Sequence, residues 1–339
     1  MTTIRDVAQS ACVSTSTVSL AFNDPKRVSA KTLARIRRAA EELGYVADPL
    51  AQSLARGRSR LIGLITPNVG NPFFGDIRRE LENYAIEHNH FVLISDSSGK
   101  PTRERDLLEH LMGLKVAGVV MAPNGRGKDY AEFIQSFKIP IVCFDQKVEG
   151  IARDFIGSDN RLAVAMLTEH LLQLGHRRIA FIAGPEGLYS AQGRLAGFME
   201  TMAGAGVEVD PSLVVDGNFT GGPAYAQAMR LLTRADRPTA IIGANNVMAL
   251  AALQAIQELG FRCPDDVSLA MVDDVAWSSV ITPKLTTVVQ DTLKMGGIVA
   301  RQILQRILAA NGDTEPPQDF ILTPKFVLGT SCRRIDGEA

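Results

Sequence analysis

The chain lacks what several large classes of protein require. No stretch of its 339 residues approaches the roughly 20 consecutive apolar positions of a membrane-crossing helix, although 46% of the residues are hydrophobic. The opening Met1-Thr2-Thr3-Ile4-Arg5-Asp6 has no basic-then-apolar layout of an export signal, so the expectation is a cytoplasmic protein without a membrane partner. Cys12, Cys143, Cys263 and Cys332 are scattered, with no CxxC pair and no histidine at metal-ligand spacing. They read as buried thiols, and neither a metal nor a cofactor is expected. His88, His90, His110, His170 and His176 show no paired spacing, and GxSxG, HExxH, P-loop and GxGxxG patterns are missing. That argues against an enzyme.

Net charge is also scarce, at −1, but it is unevenly spread. Residues 1–60 carry ten Lys/Arg against five Asp/Glu, a balance of +5, and the remainder carries 26 against 32, a balance of −6. A cationic front end suits a polyanionic partner. The length exceeds what one hydrophobic core supports, so two or three folding units are expected.

The first 45 residues read as three short helices. Thr3 with Asp6 three positions on makes a capping-box-like start, followed by Ile4, Val7, Ala8 and Ala11 at helical spacing. Cys12-Val13 forms a turn, Ser14 caps a second helix running to about Asn23, and Asp24-Pro25 ends it. Ser29 caps a third helix with Leu33, Ile36, Ala40 and Leu43 on its apolar face; Gly44 closes it and Tyr45 packs beneath. From Leu61 the pattern changes to apolar runs of strand length at 61–65, 91–94, 118–121 and 139–144, with helical segments between. A second series lies at 179–182, 214–215, 240–243 and 268–272. The fold class is therefore α/β: a helical head, then two lobes, each a doubly wound parallel sheet. In open α/β sheets ligands settle at the carboxyl ends of strands, so two facing lobes place a cleft there.

The helix, turn and helix at the front have the spacing of a helix-turn-helix, whose second helix presents side chains to the major groove. Ser14, Thr15, Ser16, Thr17 and Ser19 supply short hydroxyls for bases or phosphates, while Val18 and Phe22 face inward. A three-helix bundle without DNA contact is the plainer alternative, and the local +5 charge weighs against it.

Val7-Ala8, Val13-Ser14, Thr17-Val18-Ser19, Asn23, Val28-Ser29 and Leu43-Gly44-Tyr45 together resemble the signature of the lactose/galactose repressor family. Asp48-Pro49-Leu50-Ala51-Gln52-Ser53-Leu54-Ala55 resembles that family's hinge helix. The resemblance implies a homodimer on double-stranded, pseudo-palindromic operator DNA. It implies DNA contacts at Thr3, Ser14, Thr15, Ser16, Thr17, Ser19, Leu20, Asn23 and Ser29, a minor-groove wedge at Leu54, and further contacts at Ala51 and Arg56. It divides the chain into a head at 1–47, a hinge at 48–60 and an effector and dimerisation domain at 61–339. One lobe would hold about 61–160 plus 291–322, the other about 161–290 plus 323–339.

Asn71-Pro72-Phe73-Phe74, Gly193-Arg194-Leu195-Ala196-Gly197-Phe198, Ala244-Asn245, Val272-Asp273-Asp274 and 285–290 extend the similarity over essentially the whole chain. Carried over by motif, the effector contacts would be Phe73, Asp145, Ser190, Arg194, Phe219, Asn245, Asp273 and Gln290. That set suits a polyol: carboxylates accept from hydroxyls, Arg194 and Asn245 donate, and an aromatic ring covers an apolar face. Two departures matter. Leu20 stands where relatives often carry a base-reading arginine or histidine, and Leu188 stands where the purine-responsive branch has an arginine. The expected effector is thus a sugar, a sugar acid or another sugar derivative. A nucleobase-responsive regulator and an exported sugar-binding protein without DNA binding are the alternatives. No leucine-heptad tail follows the last strand-like segment, which favours a dimer over a tetramer.

Overall fold

A computed structural model describes residues 2–23, 25–45, 59–275, 280–309 and 315–335, with the side chain of Asn23 outside that set. The chain divides into two compact units, Met1–Leu61 with His110–Ala117, and Ile62–Glu109 with Gly118–Ala339.

In the first unit, helices α1 (Ile4–Ser10), α2 (Thr15–Asn23) and α3 (Ala30–Glu42) enclose a small core of Val7, Ala8, Ala11, Val18, Ala21, Ile36, Ala39 and Ala40. Each start is fixed by a short polar side chain. The Asp6 carboxylate accepts from Thr3 N at 2.8 Å, Ser14 Oγ from Thr17 N at 3.1 Å and Ser29 Oγ from Thr32 N at 3.3 Å. Bonds of this kind satisfy N–H groups that lack an intrahelical partner. Gly44, at φ +59°, ends α3 just past its C-cap, and the Tyr45 ring lies 5.8 Å from that of Phe22. Leu43 departs from expectation: it is 37% exposed, because α3 stops at Glu42 and the residue after a helix end no longer follows its apolar stripe.

The rest of the chain builds two six-stranded sheets. The first runs in the order β11-β5-β4-β3-β1-β2, with β1 (Leu61–Thr66), β2 (Phe91–Asp96), β3 (Gly118–Met121), β4 (Ile141–Phe144), β5 (Asp154–Ser158) and β11 (Asp319–Leu322). The second runs β12-β10-β9-β8-β6-β7, with β6 (Ile179–Ala183), β7 (Val214–Asp216), β8 (Ala240–Gly243), β9 (Ser268–Val272), β10 (Thr286–Val289) and β12 (Lys325–Val327). Every pairing given by register is parallel except that of β12 with β10, which is antiparallel. The two orders are the same motif twice: β4 answers to β9, β3 to β8 and β1 to β6. Strands β3, β4, β5, β6, β8 and β9 are buried at every position, as strands covered on both faces must be.

The helices are α4 (Pro72–Glu87), α5 (Pro101–Gly113), α6 (Lys128–Ser136), α7 (Asn160–Gln173), α8 (Tyr189–Gly204), α9 (Gly221–Leu232), α10 (Asn246–Glu258) and α11 (Thr292–Ala309). The core of the first lobe gathers around Ile62, Leu64, Phe74 and Phe144, and that of the second around Phe181, stacked on Phe198 at 5.0 Å. The chain passes between lobes after β5, after β10 and after β11, so neither lobe is one continuous stretch.

Candidate functional site

The head offers a hydroxyl-rich surface at α2. Ser14, Thr15 and Ser16 are exposed and Thr17, Ser19 and Leu20 half-buried. Ser14 Oγ lies 2.7 Å from both Ser16 Oγ and Thr17 Oγ1, so three hydroxyls are already linked into one cluster. Thr3 and Ser29 are exposed but engaged as helix starts: Thr3 Oγ1 donates to Asp6 at 2.8 Å and Ser29 Oγ to Thr32 Oγ1 at 2.9 Å. Ala51, Leu54, Arg56 and the side chain of Asn23 lie outside the described residues.

The second site lies at the carboxyl ends of the two sheets, where a cavity of about 350 Å³ is lined from both lobes. Seven of the eight expected effector residues border it: Phe73, Asp145, Ser190, Arg194, Phe219, Asn245 and Asp273. The eighth, Gln290, does not. It donates Nε2 to Asp273 Oδ1 at 2.7 Å, because β10 pairs with β9 and brings Gln290, one residue past the end of β10, beside the residue that follows β9. Gln290 thus orients a lining residue from outside the cavity.

Asp145 and Asp273 are structural counterparts. Each follows a central strand, β4 or β9, and each backbone N–H is held at 2.9 Å by the neighbouring strand, from Ile156 O and Val288 O respectively. Each sits in the left-handed region, at φ +59° and +69°. Ser98, Asn218 and Phe219, also on the cavity, share that conformation at +51°, +53° and +52°. Non-glycine residues seldom adopt it, and such conformations concentrate at ligand-binding sites. Both carboxylates are deeply buried. Burial pushes Asp145 up to about 6 against the pull of Arg194, and burial raises Asp273 likewise.

Arg194, on α8, is the cation between them. Its Nε donates to Asn160 Oδ1 at 2.8 Å and its Nη1 to Ala244 O at 2.5 Å, and its guanidinium stands 5.7 Å from the Phe219 ring. Asn245 caps α10 by accepting from Met248 N at 2.9 Å and turns its amide nitrogen to Phe219 O at 3.5 Å.

Several lining residues escaped the sequence reading. Asn124 stands three residues past the end of β3, as Asn246 stands three past the end of β8, so it is the first lobe's counterpart of the residue next to the expected Asn245. Its backbone N–H donates to both oxygens of the buried Glu104, at 3.0 and 3.3 Å, and Tyr130 also donates to that carboxylate. Burial pushes Glu104 up to about 7. Gln146 donates to Asp145 Oδ2 at 2.9 Å and to Ser190 Oγ at 2.5 Å, and accepts from Ser190 N at 3.2 Å. Asn71, Asn68, Asp96 and Asn218 complete the polar wall, with Leu188 at its edge. Comparing the two halves of the sequence by strand order would have found Asn124; no local pattern marks Gln146. Among the described residues no group of three or more His, Cys, Asp or Glu side chains could hold a metal ion, and no helix is long and apolar enough to cross a membrane.

A family model for bacterial regulatory proteins of the lacI family matches residues 3–48, and one for a periplasmic binding protein-like domain matches residues 168–332. The chain is 32% identical over 330 residues to the HTH-type transcriptional regulator DegA of Bacillus subtilis, covering 96% of this chain and 97% of that one. The solved Lac repressor dimer bound to operator and the anti-inducer ONPF is similar in fold, with a TM-score of 0.83, 27% identity, and coverage of 98% and 99%. The transcriptional regulator CelR in complex with cellobiose superposes with a TM-score of 0.73 at 28% identity, covering 98% of this chain and 100% of that one.

Proposed function

Because the chain belongs to the lacI family of bacterial regulatory proteins, we propose that its cleft takes a neutral, polyhydroxylated metabolite, a sugar or sugar derivative. As a member of that family it is a DNA-binding transcriptional regulator under effector control, and not an enzyme. The finer reading is that the occupied cleft changes the affinity of a homodimer for pseudo-palindromic operator DNA. In it the head spans residues 1–47, the hinge 48–60 and the effector domain 61–339. The operator would meet Thr3, the hydroxyls from Ser14 to Ser19, Leu20, Asn23 and Ser29, with Ala51, Leu54 and Arg56 contributing from the hinge.

One observation carries the choice of ligand. Two buried carboxylates, Asp145 and Asp273, flank a single guanidinium, two of whose donors are already bonded within the protein. An added anion would enter a cavity whose charge is already negative, whereas ligand hydroxyls donate to carboxylates at no cost in charge. This narrows the sequence expectation by removing sugar acids. Leu188 on the wall offers a nucleobase no hydrogen bond, and the cellobiose complex of CelR supports the sugar class.

The test is a melting-temperature screen of the full chain against D-ribose, cellobiose, D-gluconate, a hexose phosphate and hypoxanthine. Each hit is followed by mobility shifts on genomic fragments. A neutral sugar should raise the melting point and alter DNA affinity, and Asp273→Ala should abolish both responses. Stabilisation by the anions or by hypoxanthine alone, or a full response in Asp273→Ala, would overturn the reading.

A further inference from the structure

The two walls of the cleft also meet through a pair of asparagines. Asn71 Nδ2 donates to Asn246 Oδ1 at 3.3 Å, and Asn246 Nδ2 donates back to Asn71 Oδ1 at 3.1 Å. The partners are 175 positions apart, one on each lobe, and 8% and 1% exposed. Asn71 is the N-cap of α4, accepting from Phe73 N at 3.1 Å, and Asn246 is the first residue of α10, accepting from Val247 N at 2.8 Å. Each therefore adjoins an expected ligand residue: Phe73 two places after Asn71, Asn245 one place before Asn246.

We propose that Asn71 and Asn246 form a closure latch, a matched amide pair that holds the lobes shut and sets the population of the ligand-competent cleft. The inference rests on reading that cleft as the effector site. A carboxamide carries a donor and an acceptor side by side, so two of them pair reciprocally in only one relative placement of the lobes. Both are anchored by their own helix starts, so little side-chain freedom remains to be lost when they meet. Opening the lobes exchanges two buried bonds for bonds to water, a change that shifts an equilibrium by a factor of about thirty, about five for each bond. The apparent affinity of any ligand that requires the closed form scales with the closed fraction. Gln146 and Ser190 bridge the same lobes, but both border the cavity and Gln146 touches Asp145, so substitution there alters ligand contacts directly. Asn246 does not border it, which makes it the cleaner probe.

The experiment is hydrogen exchange by mass spectrometry on the full chain with no small molecule added. It compares the parent with Asn246→Ser, Asn71→Ser and the double variant. Serine keeps an oxygen that can cap a helix but has no amide to return the bond. The latch predicts exchange at least about fivefold faster in segments 67–75 and 217–221, on opposite lobes, in each single variant. The double variant should be no faster than the faster single one, because both substitutions delete the same pair. Exchange unchanged outside α10 in Asn246→Ser would overturn the proposal, as would independent, additive effects of the two substitutions. No sugar enters this measurement, so its result stands whichever compound the melting screen returns.

Discussion

Asp145 and Asp273 place negative charge in the same spot of each lobe, and their titration makes the cleft answer to pH. For Asp145 the ordinary carboxyl value of 3.8 is raised to about 6, chiefly by burial. The native chain therefore keeps this proton between about pH 4 and 6 while the unfolded chain loses it. The sign follows: this residue weakens the fold fully above pH 6, and the penalty fades as pH falls towards 4. A sugar hydroxyl donating to the carboxylate favours its ionised form, so ligand and proton compete. Affinity for a bound sugar should be level above pH 7 and about tenfold weaker one unit below the titration point, as read by calorimetry at pH 7.5 and 5.0. A flat profile would show that no ligand hydroxyl rests on Asp145. Both aspartates were legible in the sequence, because each follows a strand-length apolar run, and Asp273 also lies inside a family motif. Gln290 was legible as a residue but not in its position, since the direction of a side chain beyond a strand end depends on the neighbouring strand. Asn71 lies inside a family motif, but its role is not legible there because its partner is 175 residues away.

The strands divide the same way. Strands β1, β3, β4, β6, β8 and β9 announced themselves as unbroken apolar runs, and Val and Ile suit a strand buried on both faces. Strands β5, β10, β11 and β12 did not: β12 has three residues, β10 opens with two threonines, and β5 begins with a charge. That charge explains the strand. Asp154 is 3% exposed, and its two oxygens receive Arg306 Nε at 2.8 Å and Nη2 at 2.7 Å from α11, while Gln318 N donates to one of them at 2.9 Å. The carboxylate joins β5, α11 and the approach to β11, a three-way contact that no local period encodes. Because Arg306 is largely buried beside it, removing the carboxylate leaves a cation without its partner. Asp154→Ala should cost about 3 to 5 kcal/mol in denaturant unfolding, and a loss below about 1 kcal/mol would mean that the pair is solvated. Replacing both residues together should cost less than the sum of the single changes.

At the scale of the molecule, the sequence separates a cationic front from an acidic remainder, +5 against −6 over residues 1–60 and 61–339. Charge of that size attracts duplex DNA without reading it, and in the proposed homodimer operator choice would depend on two heads engaging two arms at once. The pairing surface has a candidate in β2, the outermost strand of its sheet, where Phe91 is 61% exposed and Leu93 37%. Alternate positions of a strand share one face, so these two side chains make an apolar edge of the kind that isolated proteins avoid. A second copy of the chain would cover it. Phe91→Asp places charge on that edge without touching the cores, and the melting point of each lobe should stay within a few degrees of the parent. Sedimentation velocity should then show dimer giving way to monomer at micromolar concentration. Once the two heads are no longer linked, affinity for a full pseudo-palindrome should fall about a hundredfold, towards that for a single arm. A Phe91→Asp chain that sediments as a dimer and holds its operator with undiminished affinity would place the pairing surface elsewhere.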